Sequence, residues 1–347
     1  MQLSFRFLIC FGPLFLASAF LVNGQRFEIH HTGTNTTSHF RALSVVDDRV
    51  AWVSGSQGTF GKTINGGTTW KFRPIKNFEK LEFRALFAFD SLRAVIANAG
   101  APAYVLYTKD GGENWSVAYT NEHKDAFIDG MDFWNANEGM VYGDAIDGRM
   151  LLLRSHDGGV SWNELPFDER PALKEGEGSF AASGTGIRCM GDQDVLIATG
   201  GKTSRLWISD DRGARWAVFN PPILQGETMT GIFSVAFRDS LHWIIVGGNY
   251  EKDTLKTDHV FYTQDGGNQW MRPAIPTRGL RECVEFISGD TVVSSGPKGI
   301  DLSYDKGKNW QPLSDDRQFS VIRKARRGSL IVLAGAKGKV AVLRQLP

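Results

Sequence analysis

The stretches TINGGTTW (63–70), TKDGGENW (108–115) and SHDGGVSW (155–162) repeat one eight-residue pattern, which returns in SDDRGARW (209–216), TQDGGNQW (263–270) and SYDKGKNW (303–310). The shared pattern is Ser/Thr-x-Asp-x-Gly-x-x-Trp, and only Asn65 departs from it at the acidic position. Successive copies begin at intervals of 45, 47, 54, 54 and 40 residues. Self-similarity with a period of this size indicates a repeat architecture.

Each residue type in this box has a mechanical reason to be there. The Ser or Thr hydroxyl and the carboxylate two residues later can accept hydrogen bonds from the backbone N–H groups of a tight turn. The glycine is expected to take a positive φ, which other residues resist. The tryptophan can bury its ring under the turn while its indole N–H reaches a carbonyl. The box is therefore predicted to stabilise the fold. A ring of catalytic or calcium-binding aspartates is the alternative, which the single carboxylate per repeat disfavours.

Short apolar segments lie between the boxes. Those that read as strands are 40–46, 50–54, 83–89, 94–97, 128–133, 140–142, 234–237 and 243–246. Four strands in a repeat of this length are typical of a propeller blade. No segment keeps a 3.6-residue period, so long helices are not expected. The sequence therefore predicts an all-β fold with four-stranded antiparallel blades.

The chain continues beyond the six boxes. Residues 319–325, 330–334 and 339–343 are predicted to form the first three strands of a seventh blade that has no box. Its fourth strand is predicted at 26–31, because pairing the two ends of the chain closes the ring and leaves no exposed sheet edge. The predicted fold is thus a seven-bladed β-propeller. The two intervals of 54 residues place insertions at 167–178 and 249–259, both in loops.

The N-terminus has the pattern of a targeting segment. Arg6 is followed by an apolar run at 7–22 and then by small residues, so cleavage is expected after Ala19 or Gly24. A membrane anchor is the alternative, but the run falls short of a full span and no stop-transfer charges follow. We therefore predict a signal peptide at 1–24, a single propeller domain at 25–347, and a secreted or periplasmic protein without a stable membrane anchor.

Composition argues against several other classes of function. The net charge is +1, which gives no basic footprint for nucleic acid. No Gly-x-Gly-x-x-Gly motif joins a strand to a helix, and the seven histidines show no metal spacing, so neither a cofactor nor a metal is expected. Cys10 lies in the targeting segment, whereas Cys189 and Cys283 are predicted to be buried small hydrophobes rather than a disulfide framework. We expect a monomer.

The boxes resemble those of sialidases, of sortilin-type receptors and, most closely, of the photosystem II stability/assembly factor family. The segments GDAIDGR (143–149), FAASGTGIR (180–188), GIFSVAFRD (231–239) and GPKGIDLSYDKGKNW (296–310) are also similar to bacterial exported members of that group. Such relatives are described as oxidoreductase-like or glycoside-hydrolase-like. The resemblance covers nearly the whole mature chain and implies an exported seven-bladed propeller. The box is specific for the blade and says little about chemistry. Nothing in the sequence indicates a photosynthetic host, so the photosystem partner is not transferred.

A ligand is expected on the face opposite the boxes, which we call the top face. In propellers of this kind the box occupies the turn between the third and fourth strands, whereas ligands favour the opposite loops around the central channel. The loops between the second and third strands are predicted to bring there Gln57, Asp144, Asp147, Arg149, Lys202, Tyr250, Lys298 and Lys337. The connections between blades are predicted to bring His39, Arg41, Arg84, Asp125, Asp129, Glu175, Glu177, Arg188, Arg281 and Glu282.

Two arginines stand at the same point of the first strand in neighbouring blades, in Phe40-Arg41-Ala42-Leu43 and Phe83-Arg84-Ala85-Leu86. That point is predicted to face the channel, where a guanidinium must be paired or must bind an anion. The predicted ligand-binding residues are Arg41, Arg84, Arg149, Arg188, Arg281 and Lys202. The alternative is a self-satisfied network of Asp and Arg side chains that rigidifies the contacts between blades.

Three functions fit these residues. The first is a binding or assembly scaffold for a protein or carbohydrate, because it needs only complementary charge and aromatic surface on the top face.

The second is a glycoside hydrolase, which needs two carboxylates roughly 5–9 Å apart; the candidates are Asp129, Asp144, Asp147, Glu177 and Glu282. A sialidase would add a cluster of arginines around one carboxylate, which Arg41, Arg84, Arg188 and Arg281 could form, with Tyr250 as the nucleophile. However, sialidases have six blades, and their Phe-Arg-Ile-Pro motif is Phe-Arg-Ala-Leu here. The third is an oxidoreductase, for which no motif argues. Whether the chain is an enzyme stays open.

Overall fold

Seven antiparallel sheets are arranged as the blades of a propeller in the computed structural model, which describes residues 26–346. Six sheets have four strands and one has five. Two single-turn 3₁₀ helices, Phe167–Glu169 and Ala336–Gly338, are the helical elements within that range. The predicted all-β, seven-bladed propeller is confirmed. In residues 26–346, no helix is long and apolar enough to cross a membrane.

The strands of each blade are named a to d from the channel outward. Those of blade 1 are Phe40–Val45, Ala51–Gly55, Thr59–Thr63 and Lys71–Pro74. Those of blade 2 are Phe83–Ala88, Ala94–Asn98, Ala103–Thr108 and Ser116–Asn121. Those of blade 3 are Ile128–Phe133, Gly139–Ile146, Arg149–Ser155 and Asn163–Glu164. Those of blade 4 are Ile187–Met190, Asp194–Ala198, Leu206–Ser209 and Ala217–Phe219.

The last three blades follow the same plan with two departures. Blade 5 has strands Thr230–Phe237, Trp243–Asn249 and Val260–Thr263, and its fourth strand is reduced to a bridge between Tyr262 and Met271. Two short strands, Glu177–Gly178 and Gly200–Gly201, extend its inner edge. The insertion predicted at 167–178 is therefore not loop throughout. Blade 6 has strands Cys283–Ser288, Thr291–Gly296, Gly299–Ser303 and Gln311–Ser314.

Blade 7 closes the ring with both ends of the chain. Its strands a to c are Phe319–Lys324, Ile331–Gly335 and Val340–Gln345, and strand d is Phe27–Thr32. Strand d pairs antiparallel with strand c, so that Ile29 lies opposite Leu343. The predicted closure by the N-terminal strand is confirmed. The predicted signal peptide and Cys10 lie outside the described residues.

All six boxes make the same hydrogen bonds. In the second box the backbone N–H of Gly112 donates to Thr108 Oγ1 at 3.0 Å, and that hydroxyl donates to Asp110 Oδ1 at 2.9 Å. Asp110 Oδ1 also accepts the backbone N–H of Asn114 at 2.9 Å. This last bond is the main reason why the pKa of Asp110 falls to about 2. Each box carboxylate therefore accepts hydrogen bonds within its own turn, as expected of a box that stabilises the fold.

The boxes also join neighbouring blades. Gly112 has a φ of +85°, and a Cβ there would come within 2.4 Å of the Phe60 ring in blade 1. The Trp115 ring packs edge-on against the same Phe60, with centroids 5.4 Å apart. In the third box the indole N–H of Trp162 donates to the carbonyl of Gly159 at 3.2 Å. Glycine is required at this position both for its conformation and for the close approach of the blades.

The two described cysteines are free thiols. Cys283 is buried on strand a of blade 6, and Cys189 lies on strand a of blade 4. Burial raises the pKa of both thiols, to about 11 for Cys283. Neither forms a disulfide, in agreement with the prediction from their number.

Candidate functional site

One position of strand a is aimed at the mouth of the channel by a β-bulge. In blade 1 the pairing register skips a residue between Phe40 and Ala42, and the same shift occurs in blades 2, 3, 5 and 7. The extra residues are Arg41, Arg84, Asp129, Phe233 and Ser320. Bulges of this kind redirect a side chain and are frequent next to functional sites. The equivalence of Arg41 and Arg84 predicted from the sequence is confirmed, and it extends to three further blades.

A segment of mostly small residues, 179–186, lies across the channel mouth between the bulges. We call it the plug. The carbonyl of Ala182 accepts a hydrogen bond from the Arg41 guanidinium of blade 1 at 3.1 Å. Ser183 Oγ donates to the carbonyl of Glu282, at the start of blade 6, at 2.7 Å. The plug is thus tied to blades 1 and 6, the two neighbours of blade 7, and provides a floor above the channel.

A cleft of about 890 Å³ opens above the plug on the top face. Its floor contains Phe180 and Phe233, whose rings stack with centroids 3.8 Å apart and planes inclined by 7°. Met229 and Tyr250 line one side, and Tyr250 is 47% exposed. Both long insertions supply lining residues, which are Gly176, Glu177 and Gly178 from the first and Tyr250 from the second. The cleft therefore occupies the face on which a site was predicted.

One end of the cleft is cationic. Arg41 and Arg84 both line it, and Glu82 lies between them. The Arg84 guanidinium is 2.7 Å from Glu82 Oε2, and Arg41 Nε is 4.0 Å from Glu82 Oε1. Arg41 also contacts Glu282 Oε1 at 3.4 Å. The Nε atoms of both arginines are buried and have no hydrogen-bond partner. The two guanidiniums are thus only partly satisfied within the protein.

His39 adjoins this cationic end. Burial, and then the nearby Arg41 charge, lower the pKa of His39 to about 4, although Glu82 acts in the opposite direction. His39 Nε2 lies 2.9 Å from Ser320 Oγ, the bulge residue of blade 7. The imidazole is therefore neutral at physiological pH and extends the hydrogen-bonded rim without adding charge.

The part of the cleft formed by blade 3 is acidic, and we call its residues Asp129 and Asp144 the acidic wall. Asp144 lines the cleft and accepts the backbone N–H of Ser179 at 2.8 Å. Asp129 is fully buried behind it, and neither of its oxygens has a partner of good geometry. Burial, and then repulsion from Asp144, raise the pKa of Asp129 well above its usual range, although Arg84 and the backbone N–H of Ala181 act in the opposite direction. Burial also raises the pKa of Asp144.

The carboxylate of Glu177, a predicted site residue, binds partners within the protein rather than facing a ligand. Its fully buried side chain forms an ion pair with Arg205 and accepts hydrogen bonds from Thr199 Oγ1 at 2.7 Å and the Lys174 backbone at 3.0 Å. This network fixes the Glu177–Gly178 strand against blade 4. A carboxylate so fully paired is not available to a ligand in the cleft.

Three further predicted residues lie away from the centre of the cleft. Asp147 is exposed at the tip of a two-residue turn with positive φ at Asp147 and Gly148. The Arg149 guanidinium donates to the carbonyl of Arg170 at 2.7 Å, within the first insertion. Lys202 is exposed, and its alkyl chain lies against Gly176. Asp147 and Lys202 are therefore exposed at the surface, and Arg149 fixes the first insertion.

Arg188 and Arg281 are buried and paired. Arg188 is 2.9 Å from Glu285 and donates to the carbonyl of Val235 at 2.8 Å. Arg281 is 2.8 Å from Asp301, and burial lowers its pKa to about 10. Arg188 has the self-satisfied network that the sequence left as the alternative, and Arg281 is ion-paired in the interior, where its Nε and Nη2 atoms have no hydrogen-bond partner of good geometry. A cluster of Arg41, Arg84, Arg188 and Arg281 around one carboxylate is not formed.

The candidate catalytic groups are dispersed. Asp144 and Tyr250 line the cleft, Asp129 is sealed beneath the plug, Glu177 is paired with Arg205, and Glu282 contacts Arg41. What the arrangement does offer is a bipolar cleft with an apolar floor. Such a cleft can hold a polar chain through charged groups of both signs and through contact with its aromatic floor.

Several lining residues were missed by sequence reasoning. Phe233 stands on the same bulge as Arg41, so an alignment of strands a would have found it. Glu82 immediately precedes strand a of blade 2 and resembles Glu282, which immediately precedes strand a of blade 6. The plug and Met229 carry no local signal, because their role depends on how an insertion crosses the ring.

The fold and the cleft define an Asp-box seven-bladed propeller with a plugged channel and a cleft on its top face. A family model described as photosynthesis system II assembly factor YCF48 matches residues 25–123. The photosystem II assembly lipoprotein Ycf48 of Synechococcus sp. (strain CC9902) is 22% identical over 280 residues, covering 72% of this chain and 79% of that protein. The resemblance to the assembly-factor family predicted from the boxes is confirmed.

Solved structures have the same fold. The structure titled YCF48 bound to D1 peptide superposes with a TM-score of 0.68 at 16% identity, covering 94% of this chain and 98% of that one. YCF48 from Cyanidioschyzon merolae superposes with a TM-score of 0.62 at 17% identity, covering 91% and 98%. At these identities the likeness establishes the architecture.

Proposed function

We propose that this chain is a binding scaffold that holds a peptide segment of a protein partner in the top-face cleft. The observation that carries the proposal is the cleft itself, which is lined by the partly satisfied Arg41 and Arg84, by the carboxyl of Asp144 and by the aromatic rings of Phe180 and Phe233. Aromatic and arginine side chains are the usual anchors of protein interfaces. The similar solved structure of YCF48 with a D1 peptide supports a peptide as the class of ligand.

The rigidity of the site also supports binding. The plug is fixed to blades 1 and 6 by hydrogen bonds of Ala182 and Ser183, and the bulges place Arg41 and Arg84 on strands rather than on loops. A preorganised site loses little conformational entropy when a ligand binds. Such a scaffold needs no chemical step.

The proposal can be tested by selection from a random-peptide phage library on the purified protein. We expect enriched peptides, and we expect Arg84→Glu and Tyr250→Ala each to weaken the binding of a representative peptide. Leu241→Ala is the matched control, because Leu241 is 51% exposed on an a–b turn of the opposite face. The absence of enriched peptides, or equal losses in Leu241→Ala, would contradict the proposal.

A carbohydrate-active enzyme is the second candidate, and the neighbouring acids Asp129 and Asp144 are the observation that favours it. Assays with chromogenic glycosides and a fluorogenic sialoside test it directly. We expect no turnover, because Asp129 lies sealed beneath the plug. Turnover lost in Asp144→Asn would replace the binding proposal with a hydrolase.

We also propose export through a cleaved signal at 1–24, before a propeller domain at 25–347. The apolar run at 7–22 supports it, as does the similar Ycf48, which is named a lipoprotein. Mass spectrometry of the protein isolated from its host tests the point. We expect a mature chain beginning at Phe20 or Gln25, and an uncleaved Met1 would contradict export of this kind.

A further inference from the structure

Buried polar atoms without partners are concentrated around the cleft. Among residues 26–346, twelve buried side-chain nitrogen and oxygen atoms have no hydrogen-bond partner. Six of them belong to one region: Arg41 Nε, Arg84 Nε, Asp129 Oδ1, Asp129 Oδ2, Tyr142 Oη and Ser179 Oγ. Buried polar groups are nearly always paired, so such a concentration sets this region apart from the rest of the described fold.

Four of these six atoms are oxygens beside the acidic wall. Tyr142 is fully buried on strand b of blade 3, where it lies opposite Gly130 and two residues before Asp144. Burial, and then the charges of Asp129 and Asp144, raise the pKa of Tyr142. Ser179 adjoins the wall through its hydrogen bond to Asp144. The wall is therefore rich in acceptors. In the described chain, no Lys or Arg nitrogen lies within 4.0 Å of the Asp144 or Asp129 oxygens.

Arg84, the cation that acts on Asp129, is paired with another carboxylate. Arg84 is close enough to lower the pKa of Asp129, but its guanidinium is held by Glu82 at 2.7 Å. The acidic wall also adjoins the apolar floor, where Phe180 and Phe233 stack and Tyr250 is exposed. A long aliphatic stem that ends in a positive charge can use both surfaces, with its stem on the rings and its head at the carboxylate.

We propose that Asp144 forms a subsite for a cationic side chain, a lysine or arginine of the bound protein, with Asp129, Tyr142 and Ser179 supporting it. This inference rests on the proposed function and adds a requirement to it. The cleft then recognises two opposite charges, an acidic group at Arg41 and Arg84 and a basic group at Asp144. A cation at the subsite favours the ionised carboxylates, so its binding releases protons and tightens as pH rises.

The test is the composition of peptides selected from the phage library by three forms of the protein. The wild type is expected to select peptides with an acidic and a basic residue at a fixed spacing. Asp144→Asn is expected to keep the acidic preference, to lose the basic one, and to bind a wild-type peptide at least about tenfold more weakly, the effect of one charge-assisted hydrogen bond. Asp290→Asn is the control, because Asp290 pairs with Arg238 on an a–b turn of the opposite face, outside the cleft.

The outcomes separate this inference from the proposed function. Peptides without a basic preference, or a preference unchanged in Asp144→Asn, would overturn the subsite while leaving the peptide-binding function intact. A failure of the wild type to select any peptide would overturn both.

A second measurement does not depend on a variant. The ¹³C-methyl signal of Met229, which lines the cleft, is followed during titration with N-acetyl-lysine methylamide. We expect a saturable shift that the norleucine analogue does not cause. Equal shifts with both compounds would overturn the subsite.

Discussion

Arg41 and Arg84 occupy equivalent β-bulges of neighbouring blades and share the carboxylate of Glu82. Arg84 is 2.7 Å and Arg41 is 4.0 Å from its oxygens. The side chains of Arg84 and Glu82 are 28% and 29% exposed, so their ion pair is partly hydrated. An ion pair of this kind holds the arginines in position without satisfying them, which leaves their remaining donors for a ligand.

Arg84→Ala is expected to have little effect on stability and a large effect on binding. Partly exposed ion pairs contribute at most about 1 kcal/mol, so thermal unfolding changes little. Peptide binding is expected to fall at least about tenfold through loss of a charge-assisted contact. The control is Arg73→Ala, which removes a bidentate ion pair with Glu113 outside the cleft. Strong destabilisation by Arg84→Ala, with binding retained, would make this arginine purely structural.

Asp129→Asn is expected to stabilise the protein at neutral pH. The pKa of Asp129 in the folded chain is raised well above its usual value, mainly by burial. Between the unfolded and folded pKa values the folded state binds more protons, so stability falls as pH rises through that window. Each pKa unit corresponds to about 1.4 kcal/mol. Urea unfolding at pH 4.5 and pH 7.5 measures the free energy of unfolding at each pH. We expect this free energy to decrease less between the two pH values for Asp129→Asn than for the wild type.

Asp301→Asn is the control for that experiment, because it is expected to change stability in the opposite direction. Asp301 is buried like Asp129 but is paired with both Arg278 and Arg281. Removing its charge leaves the buried Arg281 guanidinium uncompensated and is expected to destabilise the fold by about 3–5 kcal/mol. If Asp129→Asn destabilised the protein to a similar extent, Asp129 would be a paired carboxylate and the acidic wall would need revision.

The box tryptophans are expected to matter in proportion to their burial. Trp162 is buried against Phe133, with centroids 5.6 Å apart, whereas Trp70 is partly exposed. Trp162→Ala is expected to cost about 3–5 kcal/mol, as large aromatic truncations in cores do, and Trp70→Ala less. Chemical denaturation measures both. Unchanged unfolding midpoints combined with lost peptide binding would make the boxes functional.

Deleting residues 25–32 is expected to open the ring. The deletion removes strand d of blade 7 and exposes the edge of Val340–Gln345. An unpaired edge also promotes association between chains. We expect a large drop in the melting temperature and the appearance of oligomers in light scattering. A monomeric product as stable as the wild type would show that the closing strand is dispensable.

The sequence predicted the fold better than the site, for a physical reason. The box is local: Thr108, Asp110 and Gly112 interact within five residues, so the pattern is visible in the chain. The cleft is assembled from distant residues, such as Ala182 and Arg41, whose contact depends on an insertion crossing the ring. Of the predicted arginines, Arg41 and Arg84 line the cleft. Arg188 and Arg281 instead pair with buried carboxylates, and the spacing of residues in the sequence does not predict these pairs.

The most direct test of the account is site-specific photo-crosslinking in the host. p-Benzoylphenylalanine is placed at Tyr250, on the rim of the cleft, or at Leu241, exposed on the opposite face. The account predicts a discrete protein adduct from position 250 that disappears in Arg84→Glu, and none from position 241. Adducts of equal yield from both positions, or from position 241 alone, would contradict the claim that the top-face cleft is the binding site.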